Sequence, residues 1–136
     1  FVASSRVAEL TTVAYYIGAG TGGEPALFMR VLRGPNVADA EPPVELVDGV
    51  ETMQILYGVD TDLTPGPNAY VTAANVADWS EVVSVRVSLL MRSDDNVTDT
   101  AEVRIFNMLG TRVSSQSDQR IRLLATKTIG LRGRLE

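Results

Sequence analysis

In the stretch EVVSVRVSLLMR, Val83, Val85, Val87, Leu89 and Met91 alternate with Ser84, Arg86 and Ser88. Alternation with period two, carried largely by β-branched residues, predicts a strand with one buried and one wet face, as in an antiparallel sheet. The run IRLLATKTIGL places Ile121, Leu123, Ala125, Ile129 and Leu131 on one face. Only Lys127 breaks that face, and its stem can lie along apolar surface while its ammonium reaches water. TMQILYGV repeats the pattern with Met53, Ile55, Tyr57 and Val59. Nearer the start, RVAELTTVAYYIG and ALFMRVL are both rich in strand formers and flank AGTGGEP, so a hairpin is expected there. EVRIFNML predicts a further strand, set off by the turn residues Asp94, Asp95 and Asn96.

Helical signals are weaker. YVTAANVADWSEV offers Thr72 or Asn75 as an N-cap and Val76, Trp79 and Val82 as a one-sided stripe, which predicts a short helix or turn feeding the next strand. VELVDGVE has room for one helical turn, made poor by Gly49. The segments GPNVADAEPP and LTPGPN are loops by their prolines and glycines. The expected class is α+β, an antiparallel sheet with a few short helices. At 136 residues the chain is expected to form a single domain, 1–136, able to bury about two-thirds of its extended-chain surface.

Composition then excludes chemistry. The chain has no cysteine, which removes disulfides, thiol catalysis and cysteine-ligated metal sites. It has no histidine, which removes the commonest general base and metal ligand together. A net charge of −5 argues against nucleic acid, whose phosphates need a basic stripe.

That charge is unevenly spread. Between Arg33 and Arg86 there are nine acidic residues and no basic one, whereas from Arg86 onward nine basic residues face six acidic ones. An acidic middle and a basic end can pair within one fold or form patches of opposite sign for neighbouring subunits. No stretch is apolar for the roughly 20 residues that a membrane span needs. Phe1-Val2-Ala3 enters without a cap or start signal, so the chain reads as part of a longer protein.

Asp60-Thr61-Asp62 is the most suggestive acidic pattern. A linear calcium loop supplies about six to eight oxygens by alternating Asp or Asn, with a glycine at the bend. Here the alternation runs Asp60, Asp62, Thr64, then Pro65, so Asp60 and Asp62 are only a weak calcium candidate. As an acid and base pair they lack the burial that would separate their proton affinities, and no catalytic residue is assigned. GAGTGGEP resembles a phosphate loop superficially, but Pro25 and a strand follow in place of a helix, so a hairpin turn is expected. Trp79 is expected at the core or its edge, and Tyr15, Tyr16, Tyr57 and Tyr70 as sheet residues with polar tips.

VELVDGVETMQILYGVDTD and YVTAANVADWSEVVSVRVSLLMRS strongly resemble the C-terminal globular region of PilW-type minor pilins of type IV pili. YYIGAG and GEPALFMRV upstream, and RIRLLATKTIGLRGRLE at the end, resemble that family's flanking segments in the same order. The resemblance implies a type IV pilin-like globular domain, an antiparallel sheet with short helices, here without the family's long N-terminal anchor helix. It implies a structural, non-enzymatic minor pilin that primes pilus assembly and joins the tip complex, with no cofactor. Its partners would be other minor pilins, the major pilin and a large tip adhesin, with membrane contact only through the helix absent here. Its location would be extracytoplasmic: the inner membrane first, then the pilus on the surface of a Gram-negative bacterium.

The sequence departs from the family after YGVDTD, where LTPGPNAY stands in place of further Asp and Gly residues, so a metal role is not carried over. The alternatives are a minor pseudopilin of a type II secretion system and a calcium-dependent adhesive or carbohydrate-binding β module. The loops at 35–43 and 60–69 are expected to face partners, through Asp39, Glu41, Asp60, Asp62 and Asn68.

Overall fold

The computed structural model describes residues 11–33, 41–62 and 66–131. The chain divides between Asp48 and Gly49 into two compact units. The first is an antiparallel sheet of order β1-β2-β3, with β1 at Thr12–Ala19, β2 at Pro25–Leu32 and β3 at Val44–Asp48. β1 and β2 make the expected glycine-rich hairpin, Ala19 opposite Pro25 and Thr12 opposite Leu32. Thr21 in its turn donates its backbone N–H and its hydroxyl to Glu45 Oε2, at 2.9 and 2.7 Å, which ties the turn to β3. These bonds, the hydroxyl's first, hold the Glu45 carboxyl below its ordinary range.

The second unit is built on a sheet of order β5-β4-β6-β9. Its strands are β4 at Val50–Val59, β5 at Ala69–Val71, β6 at Val82–Arg92 and β9 at Arg122–Gly130. Between β6 and β9 the chain runs out and back as a zipped excursion. Ser93 N–H donates to Ile121 O, Val97 N–H to Gln119 O and Glu102 N–H to Asp118 O, at 2.9, 2.7 and 3.0 Å. The tip is the hairpin β7 (Ile105–Met108) and β8 (Thr111–Ser114), closed by Leu109 and Gly110 with φ of 53° and 90°, the backbone of a tight two-residue turn. β7 packs against β6.

The α+β class expected from sequence is overturned. Strand accounts for 58% of the described residues and helix for 5%, so the structure is essentially all antiparallel β. The predicted helix in YVTAANVADWSEV reduces to two 3-10 turns, Ala73–Asn75 and Trp79–Glu81. Thr72 stands at the first cap without a side-chain bond, whereas Asp78 caps the second by accepting from Ser80 N–H at 2.7 Å. Each turn buries nothing, so no packing energy extends it into a helix. VELVDGVE is no helical turn either: it supplies β3 and the start of β4, with Gly49 between them at a φ of +69°. A Cβ there would stand 2.6 Å from Arg92 O, so this position needs glycine for both conformation and space.

Register sorts the side chains of the second sheet. Met53, Leu89 and Ala125 lie in one row, Ile55, Val87 and Lys127 in the next, and Tyr57, Val85 and Ile129 in a third, all on one face. The opposite face carries Gln54, Ser88 and Thr126, then Thr52, Leu90 and Leu124. The sequence expectation for this sheet holds only in part: Val83 on the expected face is buried, but so are residues of the opposite face. Ser84, Ser88 and Leu90 are buried, at 4%, 0% and 1% exposure, whereas Leu123 and Ile129 on the apolar row are 63% and 52% exposed. The buried hydroxyls are satisfied, Ser88 Oγ with Thr126 Oγ1 at 2.9 Å and Ser84 Oγ donating to Tyr70 OH at 3.3 Å, which removes the cost of covering them.

Candidate functional site

Three features of the second unit hold chemistry: an ion cluster, an acidic loop and the open sheet face. The ion cluster forms because β9 begins where β6 ends, with Arg92 opposite Arg122. Both guanidiniums reach Glu51 near the start of β4. Arg122 donates through Nε to Oε2 at 2.7 Å and Nη2 to Oε1 at 2.9 Å, and Arg92 donates through Nη1 to Oε1 at 3.1 Å. Arg122 also donates twice to Asp118, from Nη1 and Nη2, each at 2.7 Å. Only 1% of the Arg122 side chain is exposed. Its hydrogen bonds, chiefly to Asp118 and then Glu51, push its own pKa up, and the same bond from Arg122 drives the Asp118 carboxyl far below its ordinary range. Glu51 and Asp118 each accept three charge-assisted bonds from arginine residues, which makes the cluster a structural clamp. The cluster also joins the acidic middle of the chain to its basic end through Glu51.

Sequence reading missed this cluster. Its available signal was that Arg92 and Arg122 each border an apolar run, SLLMR and RLL, where a solvated charge and a buried one look alike.

The acidic loop is a set of local turns. Asp60 Oδ1 accepts the Asp62 N–H at 3.3 Å, and Asn68 Oδ1 accepts the Thr61 N–H at 2.7 Å. Asn68 N–H returns to Val59 O at 2.8 Å, and Asp60 N–H donates to Glu81 O at 2.9 Å. The structure therefore brings Asp60, Asp62 and Asn68 close together where β4 ends and β5 begins. Among the described residues, no group of three or more acidic side chains is arranged to hold a metal.

Glu41 stands apart from that loop. Its carboxylate accepts from Arg33 Nε at 2.6 Å, its carbonyl accepts from Arg30 Nε at 3.0 Å, and its N–H donates to Val31 O. Glu41 thus extends the β2 pairing in the first unit. Asp39 and most of the 35–43 loop lie outside the described residues, as do residues 63–65 of the other loop.

Aromatic side chains border the open face. Trp79 is 52% exposed and meets Tyr57 edge-on, with ring centroids 4.9 Å apart at 78°. It sits at the margin and not in the core. On the other side of the sheet Arg86 stacks on the Tyr70 ring at 3.6 Å and donates to Thr128 Oγ1 at 3.1 Å. All four tyrosines named above lie in strands, two in β1, one in β4 and one in β5.

The open face is the largest feature the clamp and the turns leave unexplained. Met53, Ile55, Val87 and Leu89 are half-buried, and Ala125, Lys127 and Ile129 are exposed. No helix among the described residues is long and apolar enough to cross a membrane.

Comparison with known proteins agrees with the sequence resemblance. A family model described as Type IV Pilus-assembly protein W matches residues 14–133. No curated protein and no solved structure matches the chain.

Proposed function

The chain belongs to the type IV pilus-assembly protein W family, which makes its role one in pilus assembly at the cell envelope, and from that premise we propose that it is a structural minor pilin. In this reading it primes pilus assembly, stays in the tip complex, and works by contact with other minor pilins, the major pilin and a tip adhesin. The observation that carries the proposal is the extent of the family match, which spans both compact units and every strand from β2 to β9.

Geometry supports it in two ways. The four-stranded sheet offers an apolar face with the Tyr57–Trp79 pair at its margin, the kind of surface an assembly subunit covers with a neighbour. Glu51 and Asp118 are held in the clamp and Asp60 in a turn, roles suited to holding shape and orientation. The loops holding Asp60, Asp62, Asn68 and Glu41 are proposed as partner-facing in this scheme, with head-to-tail contacts as the geometry of a filament.

The test is capture of co-encoded minor pilins by the purified chain, together with piliation of a strain lacking its gene. Binding of at least one minor pilin and loss of surface pili on deletion are expected. Capture of none of them, with normal piliation, overturns the proposal.

A further inference from the structure

The second sheet has two edges, β5 and β9. β5 is three residues long, and β9 is nine. The backbone direction along β9 follows from two bonds: Leu131 N–H donates to Val83 O and Ser93 N–H donates to Ile121 O, both at 2.9 Å. Antiparallel strands exchange bonds at alternate residues, so the odd-numbered residues of β9 bond to β6. Leu124, Thr126 and Thr128 therefore turn their N–H and C=O groups outward, and among the described residues no strand pairs with that side.

Natural sheet edges are usually blunted by shortness, bulges, proline or charged side chains, lysine above all. β9 has only the last of these, in Lys127. It pairs with β6 at nine consecutive positions without a register shift, contains no proline, and between its first residue and its end carries the single charge of Lys127. Leu123 and Ile129, 63% and 52% exposed, flank Lys127 on the open face. Beside them lies an open cavity of about 290 Å³ lined by Val87, Leu89, Ala125, Thr126 and Lys127. Among the described residues, the Lys127 ammonium enters no hydrogen bond or ion pair.

We infer that β9 is a strand-addition site, whose free edge takes an extended segment of another polypeptide carrying a carboxylate opposite Lys127 between apolar residues two positions to either side. The backbone groups of Leu124, Thr126 and Thr128 supply the pairing, and the alternate side chains supply selectivity. An ammonium alone in an apolar row fixes both the sign and the place of the partner's charge. Self-pairing of β9 is disfavoured because it sets two copies of Lys127 across one ladder. The inference deepens the assembly reading and rests on it for the source of the segment, a second protein of the pilus.

The experiment uses the full chain and fluorescein-labelled peptides of nine residues in which valine alternates with threonine and the central valine is replaced by glutamate or by lysine. Fluorescence anisotropy is expected to show saturable binding of the glutamate peptide and about tenfold weaker binding of the lysine peptide. Lys127→Glu inverts that preference. Thr128→Pro removes an outward N–H and the Arg86 bond to Thr128, keeps the bonds to β6, and abolishes binding of both peptides. Should Thr128→Pro fail to fold, the inversion by Lys127→Glu decides the question alone. Absence of saturable binding, or equal preference in wild type and Lys127→Glu, overturns the inference. Concentration-dependent self-association that Thr128→Pro abolishes also overturns it, since the occupant is then a second copy. Capture of pilus proteins without the peptide preference overturns strand addition alone, whereas the peptide preference without capture overturns the assembly reading alone.

Discussion

Arg122 grips Glu51 in a two-pronged fork, Nε to Oε2 at 2.7 Å and Nη2 to Oε1 at 2.9 Å, although the residues stand 71 positions apart. Removing the guanidinium leaves Glu51 and Asp118 facing each other's neighbourhood with Arg92 as the remaining cation on Glu51. Breaking a buried pair from one side costs about 3–5 kcal/mol. Arg122→Ala is therefore expected to lower unfolding stability by about that amount, read as a reduced urea midpoint with an unchanged slope.

Acid should weaken the same clamp. Hydrogen bonding from Arg122 holds the folded Asp118 carboxyl far below its ordinary value of 3.8, so folding favours the ionised form. The stability from this group is fully present above that ordinary value and is lost as pH falls below it. The unfolding midpoint should drop progressively as the pH is taken under about 4, and Asp118→Asn should flatten that part of the profile. A pH profile of thermal unfolding that is identical for the two proteins contradicts the assignment.

Gly49 is expected to tolerate no side chain. Its φ of +69° costs an L-residue about 1–2 kcal/mol, and a Cβ would stand 2.6 Å from Arg92 O. Gly49→Ala should lower stability by at least that amount, measured by chemical denaturation, while Gly22→Ala, with open space around its Cβ, should change it far less.

Asp60 and Asp62 should be nearly dispensable. Asp60→Asn keeps the oxygen that accepts the Asp62 N–H, so the double change to asparagine should shift stability by less than about 0.5 kcal/mol. Millimolar calcium should leave the melting temperature of the wild type unmoved, because a ligand that binds only the folded state must raise it. A rise abolished by the double variant would establish a calcium site in this turn.

How much of this was legible in the sequence varies with the kind of signal. β6 and β9 were visible because valine, leucine and isoleucine repeat every second residue, and the first hairpin because glycines separate two apolar runs. β3 and β8 were not read as strands, since VELVD mixes acids into its pattern and TRVS is only four residues long. That the serine-bearing face of the large sheet is covered was missed for a physical reason. Serine reads as a wet residue, but Ser88 is small enough to be enclosed and finds a hydroxyl partner in Thr126. The helix expected around Trp79 shows the reverse error, a capping signal real at Asp78 yet followed by no buried stripe. The turn role of Asp60 and Asp62 was readable from Pro65 and the missing third carboxylate. The Glu51 clamp was not, because its members meet only after three strands have paired.

That clamp also acts as a ruler for strand alignment. A sheet face made of interchangeable valines and leucines gives little penalty to a strand that slides by two residues, because every side chain stays on its own side. On β9 such a slide would even set Ser88 beside another threonine, Thr128, in place of Thr126. It would also carry the Arg122 guanidinium about 7 Å along the strand, beyond the reach of Glu51. Among the ladders that hydrophobicity would accept, the one observed is thus distinguished by a pair of charges at its end.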